Sequence, residues 1–321
     1  MNIFFDYKNT LKELIQCNVC SSSDHTELLV GDRYNIGIRS VICNKCSLVF
    51  INPRPTAEAF KDFYSNHYRV IYKTVEVPDK KYIKKNNLTE RAHIVYNFVK
   101  DFINNHLKTK KNTLKILDIG AGEGAFLKLV NEKHKNHIKS LGVEPTVKYA
   151  KFAKQYSNSE IFIGAINDYY SFFKKTEKYN LIVINHALEH FLDPLELIKI
   201  VYELIENDGL LFIEVPNILG NWSGLSMFHI AHTYNFHPLS INNLLRKGGF
   251  EPQNNKKWTQ VLSWSIANTL IKSTPKEVIY PDKKEIDKMI YEIHKRIDSK
   301  QNKFLFKATN WILSKEMAYF R

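Results

Sequence analysis

The sequence predicts an α/β fold, with a doubly wound, mostly parallel sheet following a small cysteine-rich module. Three observations carry that expectation. Between residues 111 and 272, short apolar runs of strand length alternate with amphipathic runs of helix length. One strand-to-helix junction holds a glycine turn, Gly120-Ala121-Gly122-Glu123-Gly124. All four cysteines precede that turn, as two pairs of CxxC form, Cys17 with Cys20 and Cys43 with Cys46.

The chain divides in order into four stretches. Residues 1–55 read as a short amphipathic helix, over 1–15, followed by a ribbon. In the ribbon, each CxxC turn presents two thiolates on one side, and two such turns complete a tetrahedron at about 2.3 Å per sulfur. Cys17, Cys20, Cys43 and Cys46 are therefore expected to hold a structural zinc, with disulfides the rival pairing. Leu48 to Pro55 reads as a strand closed by prolines. Residues 56–110 read as a helical linker or lid, one helix starting at Thr56 and another running from Asn87 to Leu107 with apolar positions at Ile94, Val95, Phe98, Val99, Phe102 and Ile103. Between them lie Tyr64, His67, Tyr68 and Tyr72, which could pack or line a pocket. Residues 111–272 form the sheet domain, and 273–321 a charged helical tail ending in Phe304, Trp311 and Tyr319. That tail could dock on the core, on a second subunit or on a membrane surface.

At 321 residues the chain is long enough for a full α/β domain and one or two small modules. No apolar run approaches the roughly 18 residues a membrane span needs. The first residues are interrupted too soon for a signal peptide, and a cytoplasmic protein is expected. The net charge of +13 suits an anionic partner, yet the lysines are scattered (Lys80-Lys81, Lys84-Lys85, Lys174-Lys175, Lys256-Lys257) and form no long basic block.

The glycine turn points to a nucleotide-type cofactor, because glycines let backbone approach a ligand and a helix start offers unpaired N–H groups. Gly120 and Gly122 alone fit two cofactors, NAD and S-adenosylmethionine. Glu144, at the end of the next apolar run, suits the ribose hydroxyls of either. Asp118 separates them: a carboxylate beside the turn repels a pyrophosphate and attracts the ammonium of a methionine moiety.

The ordered motifs resemble those of class I S-adenosylmethionine-dependent methyltransferases. Leu117 to Gly124 resembles the first motif and Gly142-Val143-Glu144-Pro145 the second. Ile161 to Gly164, then Asn167-Asp168, resembles the third strand and the loop that meets the adenine. Tyr179 to Asn185, then His186 to Pro194, resembles the fourth strand and the loop under the methionine. Gly209 to Pro216 resembles the fifth strand. The resemblance implies a Rossmann-like sheet of seven strands. It also implies a cofactor set of Asp118, Gly120, Gly122, Glu144, Asn167, Asp168, Asn185 and His186. The ribbon ending in Asn52-Pro53-Arg54-Pro55 before such a domain resembles methyltransferases of sugar and surface-polysaccharide biosynthesis, including deoxysugar C-methyltransferases. There the N-terminal module covers the active site and helps hold a sugar nucleotide. The C-methyltransferases place a tyrosine where this chain has Ala187, so a hydroxyl acceptor is expected ahead of a carbon.

Methyl transfer from a sulfonium chiefly needs alignment and water exclusion, and a hydroxyl acceptor also benefits from a base. His190, His186 and His232 are the candidate catalytic residues, the first two flanking Glu189 and the third in the loop after strand five, where Tyr234 also faces substrate in relatives. The expected partner is a small-molecule sugar or sugar nucleotide. Two other readings stand beside it. One is a ribosomal-RNA base methyltransferase with a zinc module, which lacks an Asn-Pro-Pro-Tyr-like motif here. The other is a non-catalytic scaffold.

Overall fold

The structure is a computed structural model and describes residues 5–299 apart from 35, 74, 76, 111 and 174–176. Seven strands of the main sheet are β1 (Leu114–Ile119), β2 (Ile138–Glu144), β3 (Glu160–Ile163), β4 (Tyr179–Asn185), β5 (Ile205–Pro216), β6 (Phe250–Pro252) and β7 (Ser265–Lys272). They lie in the order β6-β7-β5-β4-β1-β2-β3. The pairs from β3 to β5 are parallel, and β7 runs antiparallel to both neighbours. A two-residue strand, Thr259–Gln260, also pairs with β7, so the sheet has eight strands rather than the seven expected. Such a stub has no periodicity to read; only its backbone pairing defines it.

Both faces of the sheet are covered. Val95, Val99 and Ile103 of helix Leu88–Lys110 pack with Ile116, Val130, Leu181 and Phe212 on one face. Helices Pro194–Leu204 and Pro238–Lys247 cover the other through Leu197, Ile198, Val201, Ile241 and Leu244. The long helix begins after Asn87, whose left-handed φ of 51° breaks the preceding turn. The linker also contains Ala57–Asp62, capped by Thr56, a π-turn Phe63–His67, and helices Tyr68–Lys73 and Lys80–Lys85.

The ribbon is an antiparallel meander of His25–Val30, Arg39–Cys43 and Val49–Ile51. Its fourth strand comes from far away in sequence: Tyr234–Asn235, in the loop after β5, pairs antiparallel with Val49 and Phe50. Tyr234 is buried there, its ring stacked on Phe50 and its hydroxyl donating to the Leu192 carbonyl at 3.0 Å. It thus ties the loop after β5 to the ribbon. Asn18, inside the first CxxC, accepts the Leu195 N–H at 2.9 Å and donates to Asp193 at 2.8 Å, so it helps cap helix Pro194–Leu204. Lys247 donates to the Val19 carbonyl, and Arg54 reaches Glu13, the Leu192 carbonyl and the Tyr234 hydroxyl.

The helix expected over residues 1–15 does not form among the described residues. Lys12–Glu13 instead pairs as a short strand with Arg54–Pro55, and the Asn52 side chain binds both backbone groups of Ile15. Leu11 and Leu14 are 72% and 77% exposed, so the apolar period there has no surface to bury against.

At the other end, helix Lys283–Ile297 begins with a capping box of Asp282 and Glu285. Ile286 and Ile293 pack with Leu28 of the ribbon and with Trp222 and Phe228 of the core. His294 bonds the Leu28 carbonyl, and Arg296 the carbonyls of Leu219 and Gly220. The described tail therefore docks on its own chain. Phe304, Trp311 and Tyr319 lie outside the described residues. No helix among the described residues is long and apolar enough to cross a membrane.

The Asn18 contacts give a stability test. Replacing Asn18 by Ala removes a helix-capping acceptor, and a loss of about 1–2 kcal/mol is expected in denaturant titration. An unchanged midpoint would show that the first cysteine turn is held without it.

Candidate active site

The glycine turn leaves β1 and enters helix Ala125–His134. Gly120, Gly122 and Gly124 have φ of 78°, 55° and 76°, in the left-handed region that side chains disfavour. The N–H groups of Gly120 and Ala121 both donate to the Val143 carbonyl of β2, at 2.9 and 3.1 Å. A Cβ on Gly120 would sit 2.8 Å from the Cβ of Ala187, so the turn passes directly against the loop after β4.

Carboxylates gather around this turn. Glu144 is buried, and its two oxygens accept the N–H groups of Gly122 at 3.1 Å and Thr146 at 2.9 Å. Asp118 is buried too, and its pKa is pushed up to about 7 by burial and then by the charge of Glu144. At the end of β4 the Oδ1 of Asn185 is buried with no hydrogen-bond partner. Two buried carboxyls and an amide oxygen left without a donor fit a ligand that carries an ammonium and hydroxyls. Asn167 and Asp168 sit in the first turn of helix Ile166–Phe173, not in a loop as expected. Asn167 donates to Glu196 on the neighbouring helix at 3.0 Å, and Asp168 accepts the Ala165 N–H.

A second cluster lies at the same edge of the sheet. His186, with a left-handed φ of 49°, places its ring between two buried acids. Its Nε2 is 3.0 Å from Glu214 and its Nδ1 is 3.6 Å from Glu189. Burial works against a charged ring, but the hydrogen bonds and charges of Glu189 and Glu214 outweigh it and raise the His186 pKa. Burial also opposes the charge of Glu189, yet the surrounding histidines, His190 first, hold its pKa down to about 2. His190 Nδ1 donates to the Ala231 carbonyl at 2.7 Å, and its Nε2 is 3.7 Å from Glu189. The His232 ring is 5.2 Å from that of His190 and 3.7 Å from that of His229. Burial, then the charge of His190, pushes the His232 pKa down to about 3, so its ring is neutral at physiological pH.

Tyr64, Tyr68 and Tyr72 of the linker stack in series, at ring separations of 4.6 and 5.1 Å. Tyr68 lies 5.9 Å from the His190 ring and Tyr72 4.9 Å from that of His229. The linker aromatics therefore adjoin the histidine cluster as well as packing on each other.

Sequence reasoning missed Arg91 and Glu214. Arg91, on helix Leu88–Lys110, donates to Glu214 at 2.9 Å, and its Nη1 is buried without a partner. Glu214 is fully buried and also accepts from Ser265. A carboxylate inside the apolar run Phe212-Ile213-Glu214-Val215 was a readable signal; nothing near Arg91 marks it out.

Away from this edge, Cys17, Cys20, Cys43 and Cys46 are free thiols whose sulfurs lie within 4.8 Å of one another. The closest pairs, Cys17–Cys46 and Cys20–Cys43, are 3.4 Å apart, well beyond disulfide length. Four converging thiols fit a tetrahedral zinc and leave no open position for a substrate.

Two outcomes test the cofactor turn. Gly120→Ala must shift the turn or Ala187, and affinity for S-adenosylhomocysteine, read by calorimetry, is expected to fall at least about tenfold. Asp118 binds its proton more tightly folded than unfolded, since its ordinary pKa is 3.8. Its contribution therefore lowers stability as pH rises between those two values. An ammonium ligand needs the ionised form, so affinity should rise with pH up to about 7, by at most about tenfold per unit, and then level off. Asp118→Asn should flatten that profile; a profile unchanged in the variant would remove Asp118 from the cofactor site.

A family model described as a methyltransferase domain matches residues 91–255. A search among curated proteins finds no match. Among solved structures, the plantazolicin methyltransferase BamL, in complex with a triazolic desmethylPZN analog and SAH, is 13% identical. That match has a TM-score of 0.50 and covers 66% of this chain and 94% of the other. The plantazolicin methyltransferase BpumL, in complex with SAH, is 16% identical with a TM-score of 0.48, covering 67% of this chain and 93% of the other. The likeness to BamL is one of fold: a mixed α/β domain on a large, mostly parallel sheet. The family match covers more than half of the chain, which therefore belongs to the methyltransferase-domain family.

Proposed function

We propose that the protein transfers a methyl group from S-adenosylmethionine to a hydroxyl, less readily to a carbon, of a sugar or sugar nucleotide in surface-glycan biosynthesis. The reading rests on one observation above the rest. The glycine turn, the buried acids and the histidine cluster meet at the carboxyl edge of the sheet, against linker aromatics. In open α/β sheets that edge is where ligands bind.

Asp118, Glu144 and Asn185 would hold the ammonium and ribose of S-adenosylmethionine, with Gly120 and Gly122 giving room for its backbone approach. When bound, S-adenosylmethionine supplies a methyl group on a positively charged sulfur. The crevice would align an acceptor oxygen with that methyl group and keep water away. His186, His190 and His232 surround Glu189, and the acceptor hydroxyl loses its proton within that cluster. The tyrosine stack gives a sugar ring apolar faces to lie against and helps exclude water. Cys17, Cys20, Cys43 and Cys46 would hold a structural zinc that keeps the ribbon folded.

The ribosomal-RNA reading gains no support from the site. Despite the net charge of +13, the lysines are scattered and form no long basic block to track a phosphate backbone. Incubating the protein with methyl-labelled S-adenosylmethionine and a panel of sugar nucleotides tests the proposal. Label in at least one sugar nucleotide, in an alkali-stable ether, is expected. Label in RNA and in none of the sugars would overturn it.

A further inference from the structure

We propose that Glu189, His190 and His232 form a second, non-thiolate metal site for a divalent transition ion such as zinc. The three residues offer one carboxylate oxygen and two imidazole nitrogens, all within 4.8 Å of one another, from two separate loops. Donors around one ion at about 2.1 Å stand about 3–4 Å apart. The Glu189 Oε1 to His190 Nε2 distance is 3.7 Å, so small side-chain rotations complete the shell.

The orientation of the two rings favours a metal over a plain hydrogen-bond cluster. His190 Nδ1 lies 2.7 Å from the Ala231 carbonyl, and His232 Nδ1 lies 3.3 Å from the Met227 carbonyl. A carbonyl only accepts, so each Nδ1 carries a proton, and Nε2 is the nitrogen an ion would take, displacing any proton held there. A ligating histidine is held in this way, its other ring nitrogen donating to a backbone carbonyl. The acid is held as firmly. Glu189 is 1% exposed, shares His186 on Oε1, and has an Oε2 that is buried with no partner. Oε1 is the oxygen turned toward His186 and His190, and the buried Oε2 beside it is left with a lone pair that a divalent ion would take up. Two histidines and one carboxylate leave an open coordination position, unlike the closed four-cysteine set.

The open position would take the acceptor hydroxyl, a step that rests on the oxygen-acceptor reading above. The O–H bond then breaks with its proton passing to water, and the oxygen stays on the ion as an alkoxide. The O–CH3 bond forms as the S–CH3 bond breaks, the electron pair going to sulfur. His190 and His232 would thus promote loss of the proton through the ion they hold, within the same cluster.

Metal counting tests the site without any acceptor, so its result is independent of which substrate is methylated. The full-length protein and the variants His232→Ala and Glu189→Gln are dialysed to equilibrium against micromolar Co2+ and analysed by elemental mass spectrometry. Melting curves confirm that each variant is folded. Absorption spectra separate the ions, because cobalt on thiolates gives an intense charge-transfer band and cobalt on imidazole and carboxylate does not. The wild type is expected to hold one ion more than either variant, with the thiolate band equal in all three. Equal metal content in the wild type and a folded variant overturns the site, whether each holds one ion or two. Should His232→Ala fail to fold, Glu189→Gln alone decides, since it keeps size and hydrogen-bonding capacity while removing the charge.

Discussion

The two backbone pairs that join Tyr234–Asn235 to Val49–Phe50 set the form of everything around them. Through them the ribbon and the loop after β5 become one sheet, and that loop is fixed over the loop after β4. Thr233 completes the contact by donating to the carbonyls of Glu189 and Phe191, and His190 reaches back to Ala231. The histidines of two distant segments are thereby held as one cluster. The pairing adds to the contacts of Asn18, Arg54 and Lys247 in holding the ribbon against the sheet domain.

Electrostatics gives that edge of the sheet its second character. Glu214, Glu189, Glu144 and Asp118 are all nearly solvent-free, and Arg91 is the guanidinium that meets Glu214 there. Burial alone would drive such carboxyls to bind protons. Asp118 follows that rule, with a pKa of about 7, whereas Glu189 and Glu214 are held charged by the imidazoles between them and, for Glu214, by Arg91. The same edge of the sheet thus contains a carboxyl poised to change charge and two that stay charged. The acids held charged there bias that edge toward cations.

Much of this was legible in the sequence because it is local. A glycine turn between a strand and a helix, two CxxC pairs, and an acid closing an apolar run each declare themselves within a few residues. The fold class and the family followed from such signals in order. What the sequence hid depends on long-range partners. Arg91 and Glu214 are 123 residues apart, and no periodicity links them. The helix expected over residues 1–15 gave way to a strand because Asn52 and Arg54 supply partners from another segment. Asn167 and Asp168 were placed in a loop, but that stretch is already helical, and the Asn167 amide is taken by Glu196.

The borrowed fourth strand also bears on how the chain is made. Synthesis runs from the N-terminus, so both cysteine turns and the Val49–Ile51 strand leave the ribosome some 180 residues before Tyr234. Throughout that interval the ribbon has an open edge of unpaired backbone groups, the kind of surface on which nascent chains join one another. Early capture of an ion by the four thiols would hold the meander together while the edge waits for its own chain to arrive. The cysteine set would then serve the protein first as a chaperone built into its own N-terminus, and only later as a brace.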